Sequence, residues 1–222
     1  MCGRYALILS GRAIAEQFDL PSVPTLRPRY NIAPTQSVPI VRAGSAEPRE
    51  LREVRWGLIP FWAKDPSIGA RMINARSETV AEKPAFRQAI RRRRCLIPAS
   101  GFYEWSRRGG DKQPYYIQLS GSRPFAFAGL WEHWSPSEGG PVESCTILTT
   151  KPNPLVAELH DRMPVILPPD RYDEWLSAAE LAEDRLASLL GPYPAEEMTA
   201  HPVSRHVNSP AHDDPTCIEP EG

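Results

Sequence analysis

The sequence predicts a single α+β domain with a barrel-like mixed β core flanked by short helices, and three observations predict it. Aromatic and β-branched runs of strand length recur from Leu51 to Leu167 without a βαβ rhythm, which argues against a doubly wound parallel sheet. The 25 prolines fall between those runs rather than in one tract, so short strands and helices are joined by stiff turns. A chain of 222 residues can bury most of its apolar surface in one core. Two small domains would also fit that length, but no linker-like stretch divides the chain. The domain is expected to span residues 2–206.

Taken in order, Ser10 can cap a short amphipathic helix that turns Ile14, Ala15 and Phe18 inward. Arg27 to Val41 is extended and punctuated by proline, and Val54 to Pro60 reads as a strand containing Trp56 and Gly57. A helical turn follows Ser77, and Pro84 fits the first position of a helix ending in the Arg91–Arg94 block. Cys95 to Trp105 reads as strand, turn, strand. Tyr115–Leu119, Phe125–Leu130 and Cys145–Thr149 are further β-type runs. Asp170 is expected to cap a helix through Trp175, and Ala178 to Leu190 to form another. From Val207 to Gly222 the chain carries prolines, two adjacent aspartates and no Lys or Arg, and reads as a mobile acidic tail.

Composition excludes several classes. No apolar run approaches the ~20 residues that cross a bilayer, and the start lacks a basic, then apolar, signal region. The expectation is a cytoplasmic protein with no membrane partner. Cys2, Cys95, Cys145 and Cys217 form no C-x-x-C pair, so neither a zinc site nor a redox dithiol is expected, and no metal or other cofactor. The net charge of −1 hides an asymmetry: residues 1–107 hold 18 Lys+Arg against 9 Asp+Glu, and the remainder holds 8 against 18. A basic half can offer a phosphate-binding surface, or two oppositely charged halves can simply pack together. A uniformly basic nucleic-acid coat is excluded.

The chemistry begins at Cys2. Removal of Met1 would leave an α-amine and a thiol on adjacent carbons, both partly nucleophilic near neutral pH. An aldehyde would form an imine with the amine, and sulfur would then close a five-membered thiazolidine ring. Gly3 allows close approach of a substrate backbone and Arg4 offers a phosphate contact. Arg76 and Ser77 at a helix start suit a phosphate, although Ser77 could equally be a plain N-cap. Glu104 sits among the rings of Gly101–Trp105 as a candidate acid or base, or as an exposed strand residue. His160, beside Asp161 and Arg162, is a candidate proton shuttle.

The start Met-Cys-Gly-Arg, then Tyr30–Pro34, Trp56–Pro60, Ile73–Glu78, Cys95–Ala99, Gly101–Trp105, Thr149, His160–Pro164 and His201–Ser204 closely resemble the SRAP (SOS-response-associated peptidase) family. Its members shield abasic sites in single-stranded DNA. The resemblance implies a barrel-like core with helices around it and Cys2 as the nucleophile of a DNA–protein cross-link. It places Asn74 and Glu104 beside the Cys2 amine, with Glu104 handling protons, and has His160 help open the abasic sugar. Arg4, Arg76, Thr149 and Arg162 would follow the phosphates, Trp62 and Trp105 would stack on bases, and Gly3, Pro34 and Ser77 would complete the DNA-facing set. The implied partner is single-stranded DNA containing an abasic site, bound by a monomer. The implied enzyme activities are suicide-type cross-linking, abasic-site lyase chemistry and autoproteolytic removal of Met1. A thiol peptidase using Cys2, Glu104 and His160, and a non-covalent single-strand binder, are the competing classes. A glutamine amidotransferase fits poorly, since no Asn-Gly-Glu or His-Thr-Arg segment follows the cysteine.

Overall fold

The computed structural model describes residues 2–44, 48–106, 112–136 and 139–221. In chain order its elements are β1 (Tyr5–Leu7), α1 (Gly11–Phe18), β2 (Arg29–Ile32), β3 (Ser37–Arg42), β4 (Glu50–Trp56), β5 (Asn74–Arg76) and α2 (Ala89–Arg92). Then come β6 (Arg94–Ala99), β7 (Gly101–Ser106), β8 (Gln113–Leu119), β9 (Phe125–Trp134) and β10 (Val142–Thr150). The last are α3 (Pro154–Ala157), β11 (Met163–Pro164), β12 (Ile166–Leu167), α4 (Tyr172–Leu176), α5 (Glu183–Leu189) and β13 (Met198–Pro202). Among the described residues no helix is long and apolar enough to cross a membrane.

Five strands close into a mixed barrel. β4 runs parallel to β10 through Ser144↔Arg55 and Cys145↔Trp56, and antiparallel pairings β4–β3, β3–β6, β6–β9 and β9–β10 complete the ring. A second, antiparallel sheet has the order β13-β8-β7-β1-β2. The chain passes from barrel to sheet through Ser100, whose N–H donates to Ala6 O and whose hydroxyl accepts from Ile8 N. Tyr5, Trp56 and Phe127 fill the space between with edge-on ring contacts at 5.4 and 5.6 Å. Burying each such side chain stabilises by about 1.5–3 kcal/mol.

β10 is the strand that builds the site. After β4 the chain turns away at Gly57, whose φ of 128° lies in the region that favours glycine; a Cβ there would also meet Gly69 O at 2.6 Å. It returns as β5 along the same edge of β10, pairing Ile147↔Asn74 through Thr149↔Arg76. β11 pairs on the other edge at Thr149 and Thr150. The end of β10 thereby gathers Asn74–Glu78 and His160–Arg162.

Ser10 caps α1 by accepting from Ala13 N, and Ile14, Ala15 and Phe18 are buried, as expected. Four expectations are corrected. The helix predicted from Pro84 is a run of turns in which only Ala89–Arg92 is helical. Pro84 has no N–H to donate. Asp170 lies within a 3₁₀ turn, Pro169–Arg171, rather than capping α4. The helix expected from Ala178 begins only at Glu183, because the buried Arg94 guanidinium takes the carbonyls of Trp175, Ser177 and Ala179 and holds that stretch in an irregular path. The expected mobile tail is packed on the domain. Val207 and Cys217 are fully buried, Val203 bridges to Pro220, and Asp213 accepts from the side chain of Arg29 and the N–H groups of Tyr30 and Asn31.

Candidate functional site

Cys2 is fully buried just before β1. Tyr103 N donates to Arg4 O at 3.0 Å, and β1 pairs β7 through Tyr5↔Phe102. Carrying that register on places Gly3 opposite Glu104. Asn74 Nδ2 donates to Cys2 O at 2.9 Å, while Asn74 Oδ1 is buried with no hydrogen-bond partner among the described residues. Cys2, Asn74 and Glu104 therefore come together, although they are distant in sequence. Burial pushes the Cys2 thiol far above its ordinary range, and the nearby Glu104 charge pushes the same way. In the chain that begins at Met1 burial thus favours the neutral thiol. Met1, whose removal the aminothiol requires, lies outside the described residues.

A second group sits at the end of β10. The Arg162 guanidinium makes a two-pronged bridge to Glu78 at 2.6 and 2.8 Å and also donates to Thr149 O. This holds the Glu78 carboxyl below its usual range, against the opposing effect of partial burial. Ser77 N donates to the same Thr149 O at 2.9 Å. The Thr149 side chain is fully buried and its hydroxyl faces Ala75 O at 3.4 Å, so its main-chain oxygen organises this corner. His160 Nδ1 accepts from Arg162 N at 3.0 Å and lies 2.8 Å from the exposed Asp161 carboxylate. One nitrogen cannot serve both: without its proton Nδ1 accepts from the amide, and with it, in the neutral or the protonated ring, it donates to the carboxylate.

A third group includes residues to which the sequence assigned other tasks. Arg4 Nη1 donates to Asn31 Oδ1 at 2.8 Å and Val207 O at 2.7 Å, and Nη2 to Asn208 O at 3.1 Å. Trp105 is half-buried, its Nε1 donating to Asn208 Oδ1 at 2.8 Å. Both are engaged by the C-terminal segment. Arg76 is exposed, Gly3, Pro34 and Ser77 are half-buried, and Trp62 is 49% exposed beside Phe61 at 48%. Residue reading did not assign roles to Phe61, Glu78, Asn31 or Asp213. Adjacency to Trp62 and Arg76 could have flagged the first two; Asn31 and Asp213 act through main-chain partners that no motif displays.

This arrangement, a closed mixed barrel with an antiparallel annex that seats a cysteine at the head of the chain against an asparagine and a glutamate, defines a class of α+β barrel proteins. The chain belongs to the SOS response associated peptidase (SRAP) family, whose model matches residues 1–210. Abasic site processing protein YoqW of Bacillus subtilis is 49% identical over 224 residues, covering 99% of each chain. Abasic site processing protein HMCES of Gallus gallus is 36% identical over 226 residues, covering 87% of this chain and 66% of that protein. A crystal structure of a protein from Bacteroides thetaiotaomicron matches with a TM-score of 0.90 at 29% identity, covering 99% of this chain and all of that one.

Proposed function

We propose that this protein senses abasic sites in single-stranded DNA and shields them as a covalent thiazolidine adduct of Cys2, formed through a Schiff base. The observation that carries this reading is the seat of Cys2: Asn74 holds its carbonyl, the Asn74 oxygen remains available to an amine, and Glu104 lies within electrostatic reach of the sulfur. The names of the relatives, which describe abasic site processing, support the substrate class.

Loss of Met1 frees the Cys2 α-amine, and because only the amine can form an imine with the aldehyde it is the first nucleophile. Its lone pair adds to the ring-opened sugar aldehyde, and loss of water leaves an iminium carbon. Glu104 then takes the thiol proton as sulfur adds to that carbon; the C–N π electrons return to nitrogen and the ring closes. His160 supplies and recovers the proton that opens the sugar hemiacetal. Arg76 meets phosphate, Trp62 with Phe61 stacks on unpaired bases, and the protein acts as a monomer with no further cofactor. Lyase chemistry is the branch in which a base takes the C2′ proton of the iminium, a C2′–C3′ double bond forms and the C3′–O bond breaks to expel the 3′ phosphate, before sulfur closes. Self-cleavage of Met1 would use the same Cys2 and Glu104.

Intact mass spectrometry after mixing the protein with an abasic single-stranded oligonucleotide tests this. The expected product is Met1-free protein plus DNA, less one water. Protein of unchanged mass under denaturing conditions, with binding still detectable in native gels, would establish the non-covalent reading instead.

A further inference from the structure

The C-terminal segment holds a donor set that the proposed DNA chemistry does not use. His206 Nε2, Asp214 Oδ2 and Cys217 Sγ all lie within 4.8 Å of one another, and His206 Nε2 is 2.9 Å from Asp214 Oδ2. We infer that His206, Asp214 and Cys217 form a divalent transition-metal site, best suited to Zn²⁺, that staples this segment over Arg4 and Trp105. The cysteine-spacing test missed it because only one of the three donors is a cysteine.

The donor chemistry sets the metal class. An imidazole, a thiolate and a carboxylate together suit zinc, whereas magnesium and calcium prefer oxygen donors throughout. Zinc bonds of about 2.0–2.3 Å place tetrahedral ligands roughly 3.3–3.8 Å apart, so the His206–Asp214 pair must open by about 0.5 Å and Cys217 Sγ must draw in by about 1.3 Å at most. Water would take the fourth position. On binding, the Cys217 thiol proton leaves to solvent and the His206 ring proton moves from Nε2 to Nδ1, freeing the Nε2 lone pair.

The backbone already holds the donors in place. Ser204 Oγ accepts from His206 N, and Asp214 Oδ1 caps the Pro215–Cys217 turn by accepting from Thr216 N at 3.0 Å. Cys217 N donates to Asp214 O at 3.1 Å. The His212 ring stacks on His206 at 3.7 Å with planes 2° apart, and its Nδ1 donates to His206 O. Such outer contacts orient a ligand ring in metal sites. The site also abuts the strap, because Val207 and Asn208, immediately after His206, are the residues that hold Arg4 and Trp105.

Cobalt titration of the full chain tests the inference, with Co²⁺ as the spectroscopic probe and Zn²⁺ as competitor. The expected result is one Co²⁺ per chain with a sulfur-to-cobalt charge-transfer band that Zn²⁺ abolishes. Cys217→Ser should lose the band and Cys2→Ser should keep it, which separates this site from the one at the head of the chain. His206→Gln, which keeps a polar side chain at this half-buried position but removes the ring nitrogen, should weaken binding at least about 10–100-fold, as loss of an outer partner alone can do. Zn²⁺ should raise the thermal midpoint of the unaltered protein and not of His206→Gln. No saturable binding, a band surviving Cys217→Ser, or equal affinity in His206→Gln would overturn the site.

Discussion

The Arg4 guanidinium donates to Asn31 Oδ1 at 2.8 Å, and the two side chains together grip the main chain of the C-terminal segment. Arg4 takes the carbonyls of Val207 and Asn208, while Asn31 Nδ2 faces those of Val207, Ser209 and His212 at 2.7–3.0 Å. Asn31 is fully buried, so its amide has no water as an alternative, whereas the Arg4–Asn208 end of the grip is exposed. The pair joins the residues beside Cys2 to the segment carrying His206 and Cys217.

Asn31→Ala should therefore loosen the segment first. Leaving a buried carbonyl or guanidinium unmatched costs about 1–3 kcal/mol. The unfolding free energy should fall by that amount, read as a lower denaturant midpoint at constant slope, and limited proteolysis should cut within 205–221 before any other region. Unchanged cleavage order would show that Asp213 and the buried Val207 and Cys217 hold the segment without Asn31.

That segment marks where sequence reading stopped. Most of the barrel strands and α1 were legible because apolar periodicity and a capping serine are local signals, but the strand read as Val54–Pro60 is instead β4, Glu50–Trp56, which ends where the chain turns away at Gly57. The packing of Val207–Glu221 was not, since it depends on two buried apolar residues and on carbonyls taken by distant side chains. A stretch with no Lys or Arg looks solvated until Arg4 and Arg29 are known to face it. Arg94 was hidden for the opposite reason: a run of four arginines reads as surface, yet this one is buried among helix-end carbonyls. At the site, motif order identified Cys2, Asn74 and Glu104, but could not reveal that Arg4, Trp105 and Arg162 already have protein partners.

Acid should release the same segment. Partial burial alone would raise the Asp213 carboxyl, but the Arg29 guanidinium and the N–H groups of Tyr30 and Asn31 outweigh it and hold the pKa below the ordinary value. A depressed carboxylate contributes stability that is fully present above its unfolded value of about 3.9 and is lost as pH falls through the folded value. Hydrogen exchange of 207–221 should therefore rise relative to the barrel as pH falls below about 4, with Asp213→Asn reducing that pH dependence and Asp214, which His206 and Thr216 also hold low, supplying the rest. A segment whose protection tracks the barrel at every pH would assign the hold to packing.

For the cross-link, the amine makes the imine bond and the sulfur closes the ring, so substitution of Cys2 separates the two bonds. Cys2→Ala should form no adduct that survives denaturation, yet borohydride should trap an imine between its new N-terminal amine and an abasic strand. Cys2→Ser should behave in the same way, because a hydroxyl closes such a ring less readily than sulfur. A heat-stable adduct in Cys2→Ala without borohydride would mean that another nucleophile does the work.

Charge and proton transfer can be told apart through Glu78, which Arg162 now holds. If phosphate takes Arg162, it must first displace this carboxylate, whose side chain is half exposed. Glu78→Gln should then tighten single-stranded DNA binding, whereas Arg76→Ala should weaken it and reduce the salt slope by ~0.7, the value for one phosphate on a single strand. Neither should alter the cross-linking rate at saturating DNA. Glu104→Gln and His160→Gln should do the reverse, leaving affinity near normal and slowing single-turnover cross-linking by about 10²–10⁴ where general acid–base help is fully lost. The burial of Glu104 at the barrel-to-annex junction demands a folding check, and an unchanged thermal midpoint for the glutamine variant supplies it. If Glu104→Gln moves only the half-saturation concentration and leaves the plateau rate intact, Glu104 is a binding residue. Cys2 would then be closing its ring unaided. If Glu78→Gln leaves affinity untouched, Arg162 stays bridged to residue 78 in the complex, and Arg76 with the exposed Phe61–Trp62 pair carries the strand.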